Sequence, residues 1–140
     1  MDGTETKKRY LKRYKRTMAR IELLKDKLEE LEERTLALKS PRITGMPGGG
    51  QPYTTADLVA EKAELELRIT RLREKADKAR ADIISCIDEL EDPHAAEVLE
   101  MFFIDGLGFM EISERMAYSD RHIMRLYAEG IEKIQLPPMS

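Results

Sequence analysis

KKRYLKRYKRTMARIELLKDKLEELEERTLALKS, residues 7–40, carries the pattern on which the architecture turns. Apolar or semi-apolar residues recur at Tyr10, Tyr14, Thr17, Ile21, Leu24, Leu28, Leu31, Thr35 and Leu38, in alternating steps of four and three. That spacing is the seam of a heptad repeat. No Gly or Pro lies between Thr4 and Ser40, so the stretch predicts one unbroken helix of about 35 residues, roughly 50 Å long at the helical rise. It should end at Ser40, because Pro41 disfavours helical geometry in the residue before it.

Working outward, residues 41–53 hold three prolines and four glycines, including Gly48, Gly49 and Gly50. Such a stretch reads as a loop. Thr54 with Asp57 three residues later forms a weak capping box, and a second seam begins there: Leu58, Lys62, Leu65, Ile69, Leu72, Ala76, Ala79, Ile83, Cys86 and Leu90. Two heptad helices of similar length joined by a long loop predict an antiparallel helical hairpin. Leu11, Met18, Leu67, Ile84 and Ile87 are apolar but off the seams. They point to a second buried face, covered either by another hairpin or by the C-terminal part of the chain.

Asp92 caps a further helix with Pro93 at its first position, where the missing N–H costs least. Three short amphipathic helices follow, over 93–105, 109–117 and 119–135, punctuated by Gly106 and Gly108 and stopped by Pro137 and Pro138. Their apolar positions should meet in one small common core. The chain is thus all-α: a hairpin and oligomerisation element over 1–91, a three-helix unit over 92–136, and a tail over 137–140.

Composition agrees with long exposed helices. Of 140 residues, 36% are charged and 6% aromatic, with no Trp, which is unlike an enzyme built round a deep apolar pocket. No apolar run approaches the roughly 18 residues of a membrane span, and the basic N-terminus is not followed by the apolar stretch of a signal peptide. The chain therefore reads as cytoplasmic. A single cysteine, Cys86, fits a reducing compartment and occupies a seam position, where a small core residue belongs. His94 and His122 stand 28 positions apart without a third ligand in metal spacing, so neither a metal nor a cofactor is expected. Gly48 to Gly50 lacks the Gly-Lys-Ser/Thr of a phosphate loop. With no catalytic constellation, the chain reads as a non-enzyme.

The net charge of −3 conceals segregation. Eight cations and no acid fall between Lys7 and Arg20, and six acids against two lysines between Glu22 and Glu33. From Pro93 onward there are eight acids and four cations, Arg115, Arg121, Arg125 and Lys133, which runs against simple attraction to DNA. The basic arm has two readings. Lys8, Arg9, Lys12, Arg13, Lys15 and Arg16 are candidates for sequence-independent phosphate contacts, or the arm pairs with acidic charge, within the chain or on the C-terminal unit of a partner chain. A basic-region zipper fits less well, since Tyr10, Leu11 and Tyr14 stand among the cations at packing positions.

The run from Phe109 to Met124, FMEISERMAYSDRHIM, resembles the helix-turn-helix of sigma-70-type factors in their fourth conserved region. It more closely resembles small phage regulators of the RinA and ArpU type, which share an aromatic, then Glu-Ile, a small residue, and a short turn into a Ser-capped helix. Leu99 to Gly108 matches the helix and glycine turn that come first in that unit, and a helical hairpin with a Gly-rich loop often precedes it. The resemblance implies a transcription regulator in a bacterial host that binds promoter DNA as a homodimer and touches host RNA polymerase. The last helix would then enter the major groove. Asp120, Arg121, Met124 and Arg125 are the base-facing candidates, on the side opposite Ile123 and Leu126; Tyr118, Ser119 and His122 suit phosphates. Ala117 stands where that turn usually has glycine and Gly130 where the last helix usually has alanine. Each departure is expected to cost up to about 1 kcal/mol. Two other functions fit the same pattern: a DNA-packaging protein of the small terminase kind, and an adaptor that binds polymerase without reading DNA.

Overall fold

The computed structural model describes residues 3–39 and 55–138, and every regular element in them is helical: α1 (Gly3–Leu11), α2 (Arg13–Lys39), α3 (Thr55–Asp88), α4 (Pro93–Phe103), α5 (Phe109–Met116) and α6 (Asp120–Lys133). No strand occurs among the described residues. The expected loop at 41–53, the Thr54 cap, the helix end at Ser40 and the Leu38 side chain lie outside them.

The first helix differs from its expected unbroken form at one residue, Lys12, which separates α1 from α2. The interruption is slight, because the Lys12 N–H still bonds the Lys8 carbonyl and the Arg16 N–H the Lys12 carbonyl, both at 3.0 Å. No helix breaker marks it in the sequence. It falls beside Leu11, an off-seam residue that tertiary packing buries completely.

The chain divides into two compact units, one formed by residues up to Thr17 together with Lys75 onward, the other by Met18–Glu74. These divisions differ from the boundary between 91 and 92 that hydrophobic pattern suggests. The reason is a shared core: Leu11 of α1 and Ala79, Ile83, Cys86 and Ile87 of α3 are buried with Leu99, Phe103, Ile104, Ile131 and Ile134. Off-seam Leu11 and Ile87 are thus covered by the C-terminal helices, one of the two outcomes the sequence left open.

In the Met18–Glu74 unit, Ile21, Leu24 and Leu31 of α2 and Leu58, Leu65 and Ile69 of α3 are buried, and Leu28, Thr35, Lys62 and Leu72 half-buried. Lys62 forms an ion pair with Glu32 at 3.6 Å; being partly exposed, it contributes only a few tenths of a kcal/mol. Leu67, expected on a second buried face, is 50% exposed. Its unit buries the seam positions, and nothing described there covers a second stripe.

In the other unit α4 begins as expected, with the Asp92 carboxylate accepting the His94 N–H at 2.9 Å and Pro93 in the first turn. Gly106, at φ +76°, turns the chain toward α5, and the Leu107 N–H bonds back to the Met101 carbonyl at 3.0 Å. Helices α4, α5 and α6 all pack on one another, and α1 packs on α6. The core expected to be common to the three short helices does form, as a second cluster, but Leu99, Phe103, Ile131 and Ile134 leave it for the core shared with α1 and α3. Ala95, Val98, Ile112, Ile123 and Leu126 form the second, and Phe102 and Tyr127 pack against both.

Gly130 requires a correction. Rather than a weak point in α6, it is buried against α4, and a Cβ there would lie 3.0 Å from Cγ and Cδ1 of Leu99. Leu99 is itself fully buried, so it would have to shift within a packed core. Overpacking of this kind costs about 1–3 kcal/mol, against about 1 kcal/mol gained in helix propensity. Gly130→Ala should therefore lower stability by on the order of 1 kcal/mol, read as a lower urea midpoint at unchanged slope; a raised midpoint would show that Leu99 can move aside.

Candidate nucleic-acid interface

Local chemistry sets the path from α5 to α6. At the start of α5 the Glu111 carboxylate accepts the Gly108 N–H at 3.0 Å, closing the first turn. At its end Ala117 adopts φ 60°, ψ 39°, a left-handed conformation that an L side chain resists. The Tyr118 N–H bonds the Ser113 carbonyl at 3.2 Å, and the Ser113 hydroxyl donates to the Tyr118 carbonyl. Ser119 is extended (φ −70°, ψ 158°), and its hydroxyl accepts the His122 N–H at 3.1 Å, capping α6 as its sequence position suggests.

Helical periodicity then sorts the side chains of α6. Ile123, Leu126, Gly130 and Ile131 are buried, leaving Asp120, Arg121, Met124 and Arg125 exposed on the other side, with Met124 at 51%. Ser119 is exposed; Tyr118 and His122 are half-buried. All seven candidates thus lie on or beside one end of α6. One grouping among them escaped the sequence reading. The His122 ring packs 4.4 Å from Tyr118, its Nδ1 lies 3.4 Å from Nη2 of Arg125, and Tyr118 also meets His94 edge-on at 5.8 Å. His122 and Arg125 stand three residues apart within α6, so that contact was visible as one between helix neighbours, whereas Tyr118 precedes the helix. The approach of His94 is tertiary.

The cations of the arm fall into two groups. The Lys7 ammonium donates to the Glu132 carbonyl at 2.7 Å and that of Lys15 to the Phe102 carbonyl at 3.3 Å. Lys15 also lies 4.7 Å above the Phe102 ring and Lys8 5.9 Å from that of Tyr127. Arg13 covers Tyr10 at 4.6 Å and reaches Asp82 at 4.0 Å. The arm thus does meet the C-terminal helices, but through carbonyls and aromatic faces rather than their carboxylates. Arg9, Lys12, Arg16 and Arg20 are exposed and pair with no other described residue, and the first three belong to the same compact unit as α6.

Burial raises the Tyr127 phenol above its usual range. Burial also raises the Cys86 thiol, with a hydrogen bond to Tyr10 acting the other way, which leaves Cys86 a protonated core residue. Among the described residues no group of His, Cys, Asp and Glu could hold a metal ion. What the α6 end offers chemically is two guanidinium forks, an exposed thioether and a capped helix terminus. Guanidinium forks match the acceptor pair of guanine, and an apolar tip suits the thymine methyl.

Two substitutions test this local account. Ala117→Gly relieves the left-handed strain and should raise stability by up to about 1 kcal/mol; Ser119→Ala should lower it by about 1 kcal/mol. Thermal unfolding of both variants checks the pair, and opposite signs from these would mean that the turn is held by something other than its own residues. In comparison with known proteins, no family model, curated protein or solved structure matches this chain.

Proposed function

We propose that the chain is a phage or prophage transcription regulator that binds promoter DNA through a helix-turn-helix made by α5 and α6. The observation that carries this reading is the geometry of α6. Its Ser119 cap is formed, Ile123 and Leu126 are buried beneath, and Arg121, Met124 and Arg125 project from the opposite side, one short turn away from α5. Each arginine that meets a guanine contributes about 1–3 kcal/mol of discrimination. In this reading α2 and α3 form an antiparallel hairpin that joins two copies into a homodimer. Ion pairs between the two helices support the hairpin: Arg13 with Asp82 in one unit, Glu32 with Lys62 in the other. Host RNA polymerase is the further partner, and the bacterial cytoplasm the place of action.

A second reading has its own support. Residues from Pro93 onward carry eight acids against four cations, a balance better suited to a basic protein surface than to phosphate. On that reading the same unit is an adaptor that binds polymerase and leaves DNA unread.

Selection from a randomised duplex pool at physiological salt, with the full chain and an Arg121→Ala/Arg125→Ala variant, separates the two. The regulator enriches one sequence family, and the variant enriches none. Failure of the folded chain to enrich any sequence rejects the regulator in favour of the adaptor. Ring-sized assemblies in solution would instead indicate a packaging protein.

A further inference from the structure

We infer that Arg9, Lys12 and Arg16 form a second DNA contact, a phosphate-binding ridge beside α6 that supplies affinity without sequence preference. The inference rests on the DNA-binding reading above and assigns to these three residues the cations that α6 and its neighbours lack.

The structure separates the arm's cations by what they touch. Lys7, Lys8, Arg13 and Lys15 are engaged with carbonyls, rings or Asp82. Their alkyl stems and charges attach the arm to the protein. Arg9, Lys12 and Arg16 follow one another at steps of three and four, and the hydrogen bonds Lys12 to Lys8 and Arg16 to Lys12 keep helical geometry through the junction of α1 and α2. They therefore make one exposed row, opposite fully buried Leu11.

Position follows from the docking of α1. Lys8 meets Tyr127, and Tyr127 shares a row of α6 with Met124 and Ile131 at three- and four-residue spacing. The arm thus packs on the C-terminal half of α6, where Lys7 also reaches the Glu132 carbonyl. Tyr127 lies six residues beyond Arg121, or about 9 Å along the helix, so the arm docks within the span of one short helix from the proposed reading residues. The ridge's three positive charges counter the excess of four acids from Pro93 onward.

Counterion release gives the test. Each phosphate contact steepens the dependence of log K on log salt by about 0.9. The full chain is titrated onto a fluorescent duplex of arbitrary sequence and onto a selected site between about 50 and 200 mM NaCl. Beside it are measured Arg9→Gln/Lys12→Gln/Arg16→Gln and a charge-matched control on exposed positions of α3, Arg71→Gln/Arg73→Gln/Lys75→Gln. The ridge variant should lose on the order of 100-fold in affinity at 0.1 M salt on both duplexes, its slope shallower by about 2 to 3, with its preference between duplexes retained. The control should keep the parent slope. An unchanged slope in the ridge variant overturns the inference, as does an equal loss in the control, which would make the effect one of net charge. So does an unchanged slope with a shift in oligomeric state, which would place a second copy on the ridge. Loss of preference in Arg121→Ala/Arg125→Ala with no effect of the ridge variant leaves the DNA-binding reading standing and removes this one. No binding to either duplex by the parent chain removes both.

Discussion

The ring of Tyr127 is the point on which the position of α6 depends. Its centroid lies 5.2 Å from those of Phe102 and Phe109 and 5.9 Å from that of Phe103, and Lys8 of the arm covers it. Phe102 and Tyr127 touch both buried clusters, so α4, α5, α6 and α1 are registered against one another at these rings. Aromatic pairs at such spacings contribute about 0.5–1.5 kcal/mol each beyond their buried area. In three short helices with few apolar residues, that contribution is a large part of what orients the exposed side of α6. The Leu99–Gly130 approach supplies the complementary constraint: a side chain at residue 130 would crowd Leu99 of α4.

Electrostatics in this protein act locally. The segregated charge along the chain suggests pairing between a basic arm and an acidic C-terminal unit, yet the contacts that form join ammonium groups to carbonyl oxygens and ring faces. Lysine suits such places because its four-carbon stem covers apolar surface while the ammonium reaches a polar edge. The carboxylates of the C-terminal helices stay outside this arrangement. A surface that binds a polyanion must then draw its cations from elsewhere, which is why the uncommitted arm cations in the same unit, Arg9, Lys12 and Arg16, matter to the proposed function.

The seams were the most legible feature. Every described position of the two heptad rows is buried or half-buried, because a period of three and four along a helix translates directly into a face. Caps were legible for a similar reason: Asp92 and Ser119 act on backbone two and three residues away. In the candidate interface, periodicity alone separated Arg121, Met124 and Arg125 from Ile123 and Leu126. It did not reveal that the His122 ring packs on Tyr118, which precedes the helix, or that His94 meets Tyr118 edge-on. That grouping depends on where α4 starts relative to α6.

By itself the sequence determined that the chain is helical, where most helices begin and end, and which side of each is apolar, since all of these arise from interactions within a few residues. Tertiary structure decided which helices share a core. It joined Leu11 and the end of α3 to the C-terminal helices, made Gly130 a packing requirement, and divided the cations into those that hold the arm and those that remain exposed. The physical reason is that burial and close approach are properties of pairs of surfaces far apart in the chain, and a hydrophobic period specifies a face without naming what will cover it.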